Sequence, residues 1–546
     1  MPRGVAPLEP IPSSSFVPLR GARIKGSTPP NQILELTLVV RPRIEPPALH
    51  ADPAYARQLP RGRSVPPRKE AIHSYSAAAE DFEFATEFVR ATDLELVEES
   101  PTRRALTVRG SAKLVSSIFG VELLEFSHEH LGDHRGVRGL VHLPAHLVDV
   151  IRIIGLNERP AARRHLTQPQ PVPTPQRISP PWELMERYRF PQHPDGSGQC
   201  IGLLELGGGF HEQDVQQFFQ ELGVQPPKIS VVNVGRENEP ADPRIIAEAL
   251  GKGIATLSPR DRENALATFE TTMDIQMAGM FAPGAEIVVY FAPLTERGIF
   301  NALMTALTDL RHQSQILSLS WGEAEPLVVS EMYLDLIDDV LRLAAAFGIT
   351  VCVSSGDWGS ANGSEEGGAS VNFPASSPYA LACGGTAIPH RSGGDVVWSG
   401  TFRGSPVGSG GGLSQRFPPP PWQTGLHANK QPLSGRGVPD VAGPADPSCG
   451  PQVLVGGIVA PAWGTSAVPP FWAALLARCN QGLACSAGYL NPILYRLAKR
   501  APLFGPVLEG SNGAFCAGAG WNPCAGLGVP RGDTLLAALN GDLGPP

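Results

Sequence analysis

The sequence predicts two domains, a small α+β domain followed by a larger α/β domain built on a doubly wound parallel sheet. With 546 residues, the chain is longer than one ordinary hydrophobic core requires. Beyond about residue 180, near-continuous apolar runs alternate with helical patterns, which is typical of buried parallel strands joined by helices. Residues 159–180, between the two parts, are basic and rich in proline, as an extended linker with nothing to bury would be.

The first part shows the pattern of an α+β domain over residues 31–158, after a Pro/Ser-rich stretch of residues 1–30 that we expect to be disordered. Apolar spacing within this domain predicts strands at 36–41, 94–98, 105–109, 121–126 and 140–143 and helices at 81–90 and 111–119. The second and third of these strands are expected to form a hairpin.

The second part, residues 181–540, carries the α/β pattern. It predicts buried strands at 200–206, 286–292, 316–320 and 349–353 and helices at 211–222, 266–280, 296–309 and 327–347. In a sheet of this kind, functional groups are expected at the carboxyl ends of the strands.

Composition narrows the possible functions. A net charge of -8 and a pI near 5.9 argue against nucleic acid as the main partner. No apolar run reaches 18 residues, so we expect no membrane span, and the N-terminus lacks the apolar core of a signal peptide. The cysteines match no zinc pattern; local disulfides Cys516–Cys524 and Cys479–Cys485 are open alternatives to free thiols.

A serine in front of an apolar helix is the first candidate for chemistry. Ser466 lies in the segment Gly-Thr-Ser-Ala, and a helix is predicted from this serine onward, with Pro469 and Pro470 tolerated in its first turn. A nucleophile there benefits from free amides and from the positive end of the helix, which stabilise an oxyanion. The alternative is an ordinary helix cap.

Three carboxyl groups accompany this serine. Glu270 and Asp274 are four residues apart on a predicted helix, so they project from one face, and their apolar neighbours indicate burial. Buried neighbouring carboxyls share a proton, which makes Glu270 a candidate base for Ser466 and Asp274 its orienting partner. Asp357 follows a predicted strand, where a protonated carboxyl donates to an oxyanion. The ordinary alternatives are a solvated acidic helix face for the pair and a turn-forming aspartate.

This set contains no histidine. At about pH 4 a histidine base would be protonated, whereas a glutamate with an ordinary pKa of about 4.3 still accepts a proton. The set therefore suits a peptidase that works in acid.

The order and the flanks of these motifs resemble the sedolisin family, the serine-carboxyl peptidases. The likeness covers residues from about 180 to 540, and residues 31–158 resemble the propeptide domain of that family. It extends through the segments 204–210, 281–293, 318–322, 373–386, 435–443 and 520–528. The resemblance implies a subtilisin-like fold for the large domain and a ferredoxin-like fold for the small one.

The resemblance also implies an acid-active serine-type endopeptidase, with Ser466 as nucleophile, Glu270 as base, Asp274 as its partner and Asp357 as the oxyanion acid. Substrates are then proteins and peptides, with no nucleic acid or membrane partner. Secretion is implied, although no signal peptide is recognisable, and we expect a monomer.

Other residues match supporting parts of the family pattern. Glu205 and Trp321 match positions that extend the hydrogen-bond network behind the catalytic groups, and a purely structural role is the alternative. The propeptide is implied to act as an intramolecular chaperone and inhibitor, and to leave by autocatalytic cleavage within residues 159–180.

The calcium site of the family is the clearest departure. Its two aspartates correspond here to Pro506 and Asn522, while Val507, Gly518 and Gly520 still offer backbone carbonyls. Because a hard cation held without carboxylates binds weakly, we expect calcium binding to be lost or much weakened. No other cofactor is expected.

Two further departures lie beside the catalytic groups. Trp358 and Trp463 stand where a serine and a glycine are usual, and residues 235–265 look inserted in front of Glu270. These changes bear on substrate preference and on access to the cleft.

Of two other functions, the sequence argues against the first and leaves the second open. A Ser-His-Asp peptidase needs a histidine in a His-Gly-Thr context, which the chain lacks, and eight of its 13 histidines lie at or before His165. An inactive, binding-only member of the fold is the second, because Trp463 and Pro506 replace residues of the family pattern.

Overall fold

The structure, a computed structural model, describes residues 7–17, 19–128, 132–164, 181–362, 368–389, 393–402 and 405–542. These residues form an N-terminal domain that ends at Arg164 and a C-terminal domain that begins at residue 181. Most of the predicted linker, residues 165–180, therefore lies outside the described residues.

A four-stranded antiparallel sheet covered by two helices forms the core of the N-terminal domain. The helices Ala79–Arg90 and Ala112–Phe119 follow the first and third strands of the sheet, which gives the ferredoxin-like order β-α-β-β-α-β. In spatial order the strands are Glu95–Ser100, Ala105–Ser111, Ile33–Val40 and Ile151–Ile154. The other elements are the strands Leu8–Pro10, Arg23–Ser27, Glu122–His128, Gly132–Arg138, His142–Pro144 and Arg163–Arg164 and the helices Pro53–Arg57 and Arg68–Tyr75.

The expectation of a disordered N-terminus is wrong for the described part of residues 1–30. Leu8–Pro10 pairs with His142–Pro144, and Arg23–Ser27 pairs with Glu122–His128. Ile11 is 3% exposed and belongs to the core of the domain. Composition did not reveal this, because pairing with distant strands satisfies the backbone groups of a segment that is locally polar and proline-rich.

A parallel sheet with helices on both faces forms the C-terminal domain, as predicted. Its parallel strands, in spatial order, are Ile229–Asn233, Glu286–Phe291, Cys200–Glu205, Ile316–Leu319, Thr350–Ser354, Leu381–Ala387 and Val441–Pro444, and Val396–Val397 adds an antiparallel pair at Leu381–Ala387. The helices are Trp182–Arg187, Glu212–Leu222, Pro243–Lys252, Pro259–Phe281, Glu296–Thr308, Glu331–Ala346, Val468–Leu483, Asn491–Ala498 and Gly532–Asn540.

Short antiparallel pairs complete this domain. They are Trp321–Ala324 with Asn372–Phe373, Ser399–Phe402 with Ser405–Gly408, Gly412–Leu413 with Gly437–Val438, His427–Ala428 with Gln431–Pro432, Gln452–Val455 with Ile458–Pro461, and Phe504–Gly505 with Val529–Pro530.

Two helices meet on one face of the central sheet and carry the predicted catalytic groups. We call Pro259–Phe281 the carboxylate helix and Val468–Leu483 the nucleophile helix. Ser258 caps the carboxylate helix at its start and its side chain accepts from the Asp261 amide, which is why this helix begins seven residues before the predicted 266. From Thr268 onward every residue of the helix is buried, so it has no polar face.

The segment 235–265, which looked inserted, packs beside the carboxylate helix. It contains the helix Pro243–Lys252, whose start is capped by Asp242, and the Ala241 amide donates to Thr268 Oγ1 at 2.8 Å. The structure therefore places this segment against the carboxylate helix.

The opposite face of the central sheet receives the N-terminal domain. Met332, from the helix Glu331–Ala346, is buried within the core of that domain, and Glu35 forms an ion pair with Arg297. Arg159 donates to the Leu327 carbonyl at 2.6 Å. The two domains thus share apolar and charged contacts.

The first six residues of the predicted linker do not behave as a linker. Ala161 and Ala162 are 5% and 4% exposed, and Arg163–Arg164 forms a strand against Trp321–Gly322. The expectation of an extended segment with nothing to bury is wrong here, because this stretch lies along the C-terminal domain.

Two sequence questions are answered by the described residues. All eight cysteines are free thiols in the structure, so neither of the two possible local disulfides is formed. Within the same residues, no helix combines the length and apolar character that crossing a membrane requires.

We predict that the stability of the full-length chain falls as pH rises from about 4.5 to 7, in part because of Glu296. Its side chain is 1% exposed, and burial raises its pKa from 4.5 to about 7, while the Gly155 amide and Arg159 oppose the shift. Between these two pKa values the folded chain retains a proton that the unfolded chain loses, so each step upward in pH favours unfolding. Thermal melts of a Ser466→Ala chain should lose several degrees across this range.

The control is Glu296→Gln, which keeps the shape of the side chain but does not titrate. Its melting temperature should depend less on pH than that of the parent. Equal slopes in both proteins would contradict the assignment to Glu296.

Candidate active site

Ser466 lies in a tight turn directly before the nucleophile helix. It is the middle residue of a 3₁₀ turn, Thr465–Ala467, and its side chain is fully buried. Gly464 precedes the turn with φ of 81°, a left-handed conformation that favours glycine. The predicted helix therefore begins at Val468 and not at Ser466, and the serine stands where the helix amides have no intrahelical partner.

Ser320 connects the nucleophile to the carboxylate helix. Its Oγ lies 2.7 Å from Asp274 Oδ2 and 3.2 Å from the Ser466 carbonyl oxygen, and the shorter distance indicates that the hydroxyl donates mainly to Asp274. In return, Ser466 Oγ donates to the Ser320 carbonyl at 3.4 Å. The nucleophile and the carboxylate helix are thus joined through one buried residue.

Glu205 and Asp274 form a buried pair of carboxyls behind Ser320. Glu205 ends the central strand Cys200–Glu205 and accepts from Thr271 Oγ1 at 3.0 Å. Burial raises the pKa of Asp274 well above its usual range, the charge of Glu205 and a hydrogen bond with it add to this, and the hydrogen bond from Ser320 opposes it. The pair therefore holds a proton under conditions in which isolated carboxyls are ionised.

Glu270 lies one helical turn before Asp274 on the carboxylate helix. Both side chains are buried, at 0% and 1% exposed. The carboxylate helix packs against the turn that contains Ser466. The solvated acidic face that remained open from the sequence is therefore excluded for this pair.

Asp357 is held in place by Thr465, the residue directly before the nucleophile Ser466. Thr465 donates to Asp357 Oδ1 with both its amide and its hydroxyl, each at 2.7 Å. The Asp357 carbonyl in turn accepts from the Gly408 amide at 2.8 Å. Because Oδ1 already accepts two hydrogen bonds, a proton on this carboxyl is carried by Oδ2.

The strand after Ser320 is occupied by the end of the N-terminal domain. We call Trp321–Ala324 the edge strand. In antiparallel register, Arg164 lies opposite Trp321 and Arg163 opposite Gly322. The last described residues of the N-terminal domain therefore run along this strand toward Ser320 and Ser466.

The structure brings Ser466, Glu205, Glu270, Asp274 and Asp357 into one buried region of the domain. Trp321 is buried at 1% exposed on the edge strand beside them. The two substituted tryptophans differ: Trp463 is buried at 4% exposed, whereas Trp358 is 37% exposed directly after Asp357.

Sequence reasoning missed two functional residues, Ser320 and Thr465. Ser320 lies in the segment 318–322, which reads Ser-Leu-Ser-Trp-Gly, and Thr465 lies in Gly-Thr-Ser-Ala, so both belong to segments that carry the family resemblance. Their contacts span 46 and 108 positions in the chain. No local pattern reports a contact over such a distance.

The chain is similar in sequence to a described domain family and to known proteins. Residues 21–159 match the family described as the pro-kumamolisin activation domain. The chain is 38% identical over 545 residues to kumamolisin of Bacillus sp. (strain MN-32). This alignment covers 94% of this chain and 93% of that protein. The chain is 29% identical over 402 residues to tripeptidyl-peptidase 1 of Homo sapiens, covering 66% of this chain and 64% of that one.

A solved structure shares the fold of the C-terminal part. It is Pseudomonas sedolisin, a serine-carboxyl proteinase complexed with two molecules of pseudo-iodotyrostatin, with a TM-score of 0.57 and 24% identity. The match covers 67% of this chain and 99% of that chain.

We predict that Ser320→Ala lowers kcat for peptide hydrolysis about 10- to 100-fold, since a hydrogen bond to a charged group is worth about 1.5–3 kcal/mol. The measurement is hydrolysis of an unfolded protein substrate at about pH 4. Ser318→Ala is the matched control, because Ser318 is a buried serine of the same segment whose Oγ has no hydrogen-bond partner within the described structure. Equal activity of the two variants would contradict a role for Ser320.

Proposed function

The chain belongs to the sedolisin family of serine-carboxyl peptidases, and we propose that it is an acid-active endopeptidase that cuts off its own N-terminal domain. That it is a serine-type peptidase with an N-terminal activation domain follows from its relatives. The activity in acid, the roles of the residues and the position of the first cut go beyond what the relatives establish.

The observation that carries this proposal is the buried run of hydrogen bonds from Ser466 through Ser320 to Asp274 and Glu205. Every side chain in this run that titrates is a carboxyl. A base made of carboxyls keeps working at a pH where an imidazole would be protonated.

In the first step, Ser466 Oγ attacks the peptide carbonyl and Glu270 takes its proton. The proton then passes to the leaving amine, so that the peptide bond breaks as the acyl-serine ester forms. Water attacks the ester in a second round that uses the same groups, which releases the acid and restores the serine.

Asp274 and Glu205 influence the protonation of Glu270. Asp274 is one helical turn from Glu270, and its carboxyl is held in place by Ser320 and Glu205. We infer that a protonated pair keeps the number of negative charges in this dry region low, so that Glu270 remains able to accept a proton.

The oxyanion is stabilised from the opposite side. The Ser466 amide lies at the positive start of the nucleophile helix, and Asp357, when protonated, donates a second hydrogen bond. Thr465 fixes this carboxyl by its two hydrogen bonds to Oδ1. Removing one such donor typically costs about 100- to 1,000-fold in kcat.

Substrates bind by adding a strand to the edge strand. In the precursor this place is taken by Arg163–Arg164, which pair with Trp321–Gly322. An occupied edge strand excludes other peptides, so the N-terminal domain inhibits the enzyme that it precedes.

The register of Arg163–Arg164 on the edge strand also indicates the position of the first cut. Arg164 lies opposite Trp321, one position along the chain from Ser320, whose carbonyl accepts from Ser466 Oγ at 3.4 Å. We therefore place the cut within the first bonds after Arg164, between residues 164 and 167. An acidic extracellular setting is part of the proposal, because the cut needs a low pH.

We predict that the full-length chain cuts the connection to its N-terminal domain when it is moved from pH 7 to pH 4. Intact-mass measurements against time should show new C-terminal fragments that begin between residues 165 and 167. A Ser466→Ala chain should stay whole, since it lacks the attacking hydroxyl.

Two results would contradict the proposal. A folded wild-type chain that stays intact at pH 4 and hydrolyses no added protein would favour a binding-only member of the fold. Cleavage that is equally fast in Ser466→Ala would assign the cut to another enzyme.

A further inference from the structure

Asn522 occupies the position of a calcium-ligating aspartate in the family pattern, and its contacts suit no cation. Its Oδ1 accepts from the amides of Cys524 and Ala525 at 3.1 and 3.0 Å, which fixes the orientation of the side-chain amide. Its Nδ2 then donates to the Gly518 carbonyl at 3.2 Å and lies 3.5 Å from the Val507 carbonyl. The side chain is 5% exposed.

These two carbonyls are two of the three backbone ligands that the family pattern would assign to calcium. An amide nitrogen directs N–H groups at them, whereas a cation must be faced by oxygen atoms alone. Pro506 supplies no carboxylate beside Val507. Across the described residues, no group of three or more His, Cys, Asp or Glu side chains is placed to hold a metal ion. The donor set therefore does not fit calcium.

We propose that the Asn522 amide replaces the cation and that this chain folds without calcium. The amide joins the segment around Val507 to the loop 518–526, which is the connection that a bound ion would otherwise make. Asn522 and Gly526 also exchange both backbone hydrogen bonds, at 3.1 and 2.9 Å, which closes the loop. We call this arrangement the amide clasp.

The amide clasp is connected to the oxyanion side of the active site. The Cys524 carbonyl, two residues after Asn522, accepts from Ser409 Oγ at 2.7 Å. The neighbouring Gly408 amide donates to the Asp357 carbonyl at 2.8 Å. Loss of the clasp therefore loosens the segment that supports Asp357.

The test uses thermal melting of the full-length Ser466→Ala chain, with either CaCl₂ or EDTA. The parent should melt at the same temperature in both. Asn522→Asp should melt several degrees lower in EDTA, because a carboxylate then faces the two carbonyls, and CaCl₂ should restore part of the loss. Adding Pro506→Asp should increase the response to CaCl₂.

Asn512→Asp is the matched control for the loss of amide donors. Asn512 is also buried and donates from Nδ2 to two carbonyls, those of Gly411 and Pro523, at 3.2 Å each. This variant should lose stability without gaining a response to CaCl₂. The proposal fails if EDTA lowers the melting temperature of the parent by many degrees, or if Asn522→Asp behaves like the parent in both solutions.

A second inference rests on a different part of the molecule, the segment 48–68 of the N-terminal domain. This segment, which we call the arm, runs along the C-terminal domain to the far end of the nucleophile helix. Arg61 Nε donates at 2.9 Å to the carbonyl of Leu483, the last residue of that helix. The helix has 16 residues, so this contact is about 24 Å from the end that follows Ser466.

The arm is held by arginines that donate to backbone carbonyls. Arg63 donates from one nitrogen to the carbonyls of Ala487 and Tyr489, at 2.8 and 3.0 Å. Arg68, at the end of the arm, donates to the carbonyls of Leu307 and Ser314, at 2.9 and 2.7 Å. Leu483 and Leu307 lie in the last turns of their helices, where carbonyls lack intrahelical partners.

Aromatic contacts add to this hold. The Arg63 guanidinium lies 4.1 Å from the centre of the Tyr55 ring, and Tyr55 stacks on Tyr489 with ring centres 5.9 Å apart. The Tyr55 hydroxyl donates to the Tyr489 carbonyl at 3.1 Å. The arm thus covers Tyr489 with one arginine and one aromatic ring.

These contacts do not titrate between pH 7 and pH 4, because guanidinium groups stay charged and carbonyls do not ionise there. The arm also contains His50, whose Nδ1 hydrogen-bonds the Tyr379 hydroxyl and whose pKa is lowered from its usual value by burial and by Arg342. The titratable and charged groups that face the arm are Tyr290, Cys200 and Asp309 near Arg68, and Arg496, Tyr489 and Cys485 near Arg63. At Arg297 the two domains are joined by an ion pair with Glu35, whose pKa is lowered by Arg297 and Arg109 although burial opposes the shift.

We infer that the arm keeps the N-terminal domain bound after the linker is cut, so that activation needs a second step in which the arm detaches. This inference rests on the proposed removal of the N-terminal domain.

The test measures release of the N-terminal domain independently of cleavage by the chain itself. In the Ser466→Ala chain, residues 168–175 are replaced by the recognition sequence of an added site-specific protease, and the linker is cut at pH 7. After a shift to pH 4, size-exclusion chromatography follows the separation of the two fragments. The parent fragments should stay together, and Arg63→Ala should separate at least tenfold faster.

Arg57→Ala is the control, because Arg57 is an exposed arginine of the same arm. Tyr55→Phe, which removes only one hydrogen bond, serves if Arg63→Ala does not fold. The inference is wrong if the parent fragments separate at once, or if Arg63→Ala and Tyr55→Phe both match Arg57→Ala. Since an added protease makes the cut, neither result depends on whether the chain processes itself.

Discussion

The C-terminal domain depends on a pair of carboxyls, Glu205 and Asp274, that share a hydrogen bond away from water. Two neighbouring charges cannot both be kept at such a place, so the pair must hold a proton, and the surroundings must supply donors. Thr271 and Ser320 supply them. The carboxylate helix imposes this requirement because it is buried on every side from Thr268 onward, and the pair couples the state of the site to pH through groups that lie behind Ser466.

The N-terminal domain is built around the same site. Its sheet packs on one face of the C-terminal domain, its last described strand, Arg163–Arg164, lies on the edge strand, and its arm reaches the far end of the nucleophile helix. These contacts differ in kind, since the sheet interface includes the Glu35–Arg297 ion pair while the arm relies on arginines and carbonyls. Although burial opposes the shift, Arg297 and Arg109 lower the pKa of Glu35, so a fall in pH breaks this ion pair only below the usual range of a glutamate.

The amide clasp around Asn522 and the support of Asp357 follow one rule. In each case a side-chain oxygen accepts two hydrogen bonds from nearby donors, and this fixes the direction of the other polar atom of the group. For Asn522 the fixed atom donates to backbone carbonyls. For Asp357 it is the oxygen that carries the proton in the proposed mechanism. The Asn522 side chain is oriented by neighbours two and three positions away, whereas the Asp357 side chain is oriented by Thr465, 108 positions along the chain.

The sequence by itself determined the two-domain plan and most of the strands and helices, because burial on both faces of a parallel sheet leaves continuous apolar runs that any chain must show. It also indicated Ser466 and its carboxyls, since their motifs are local. Only the tertiary structure decided that Ser320 joins Ser466 to Asp274, that Arg163–Arg164 lies along the edge strand, and that Leu8–Pro10 and Arg23–Ser27 form strands. These contacts join segments distant in the chain, and they depend on how helices and strands pack, which no local pattern of residues encodes.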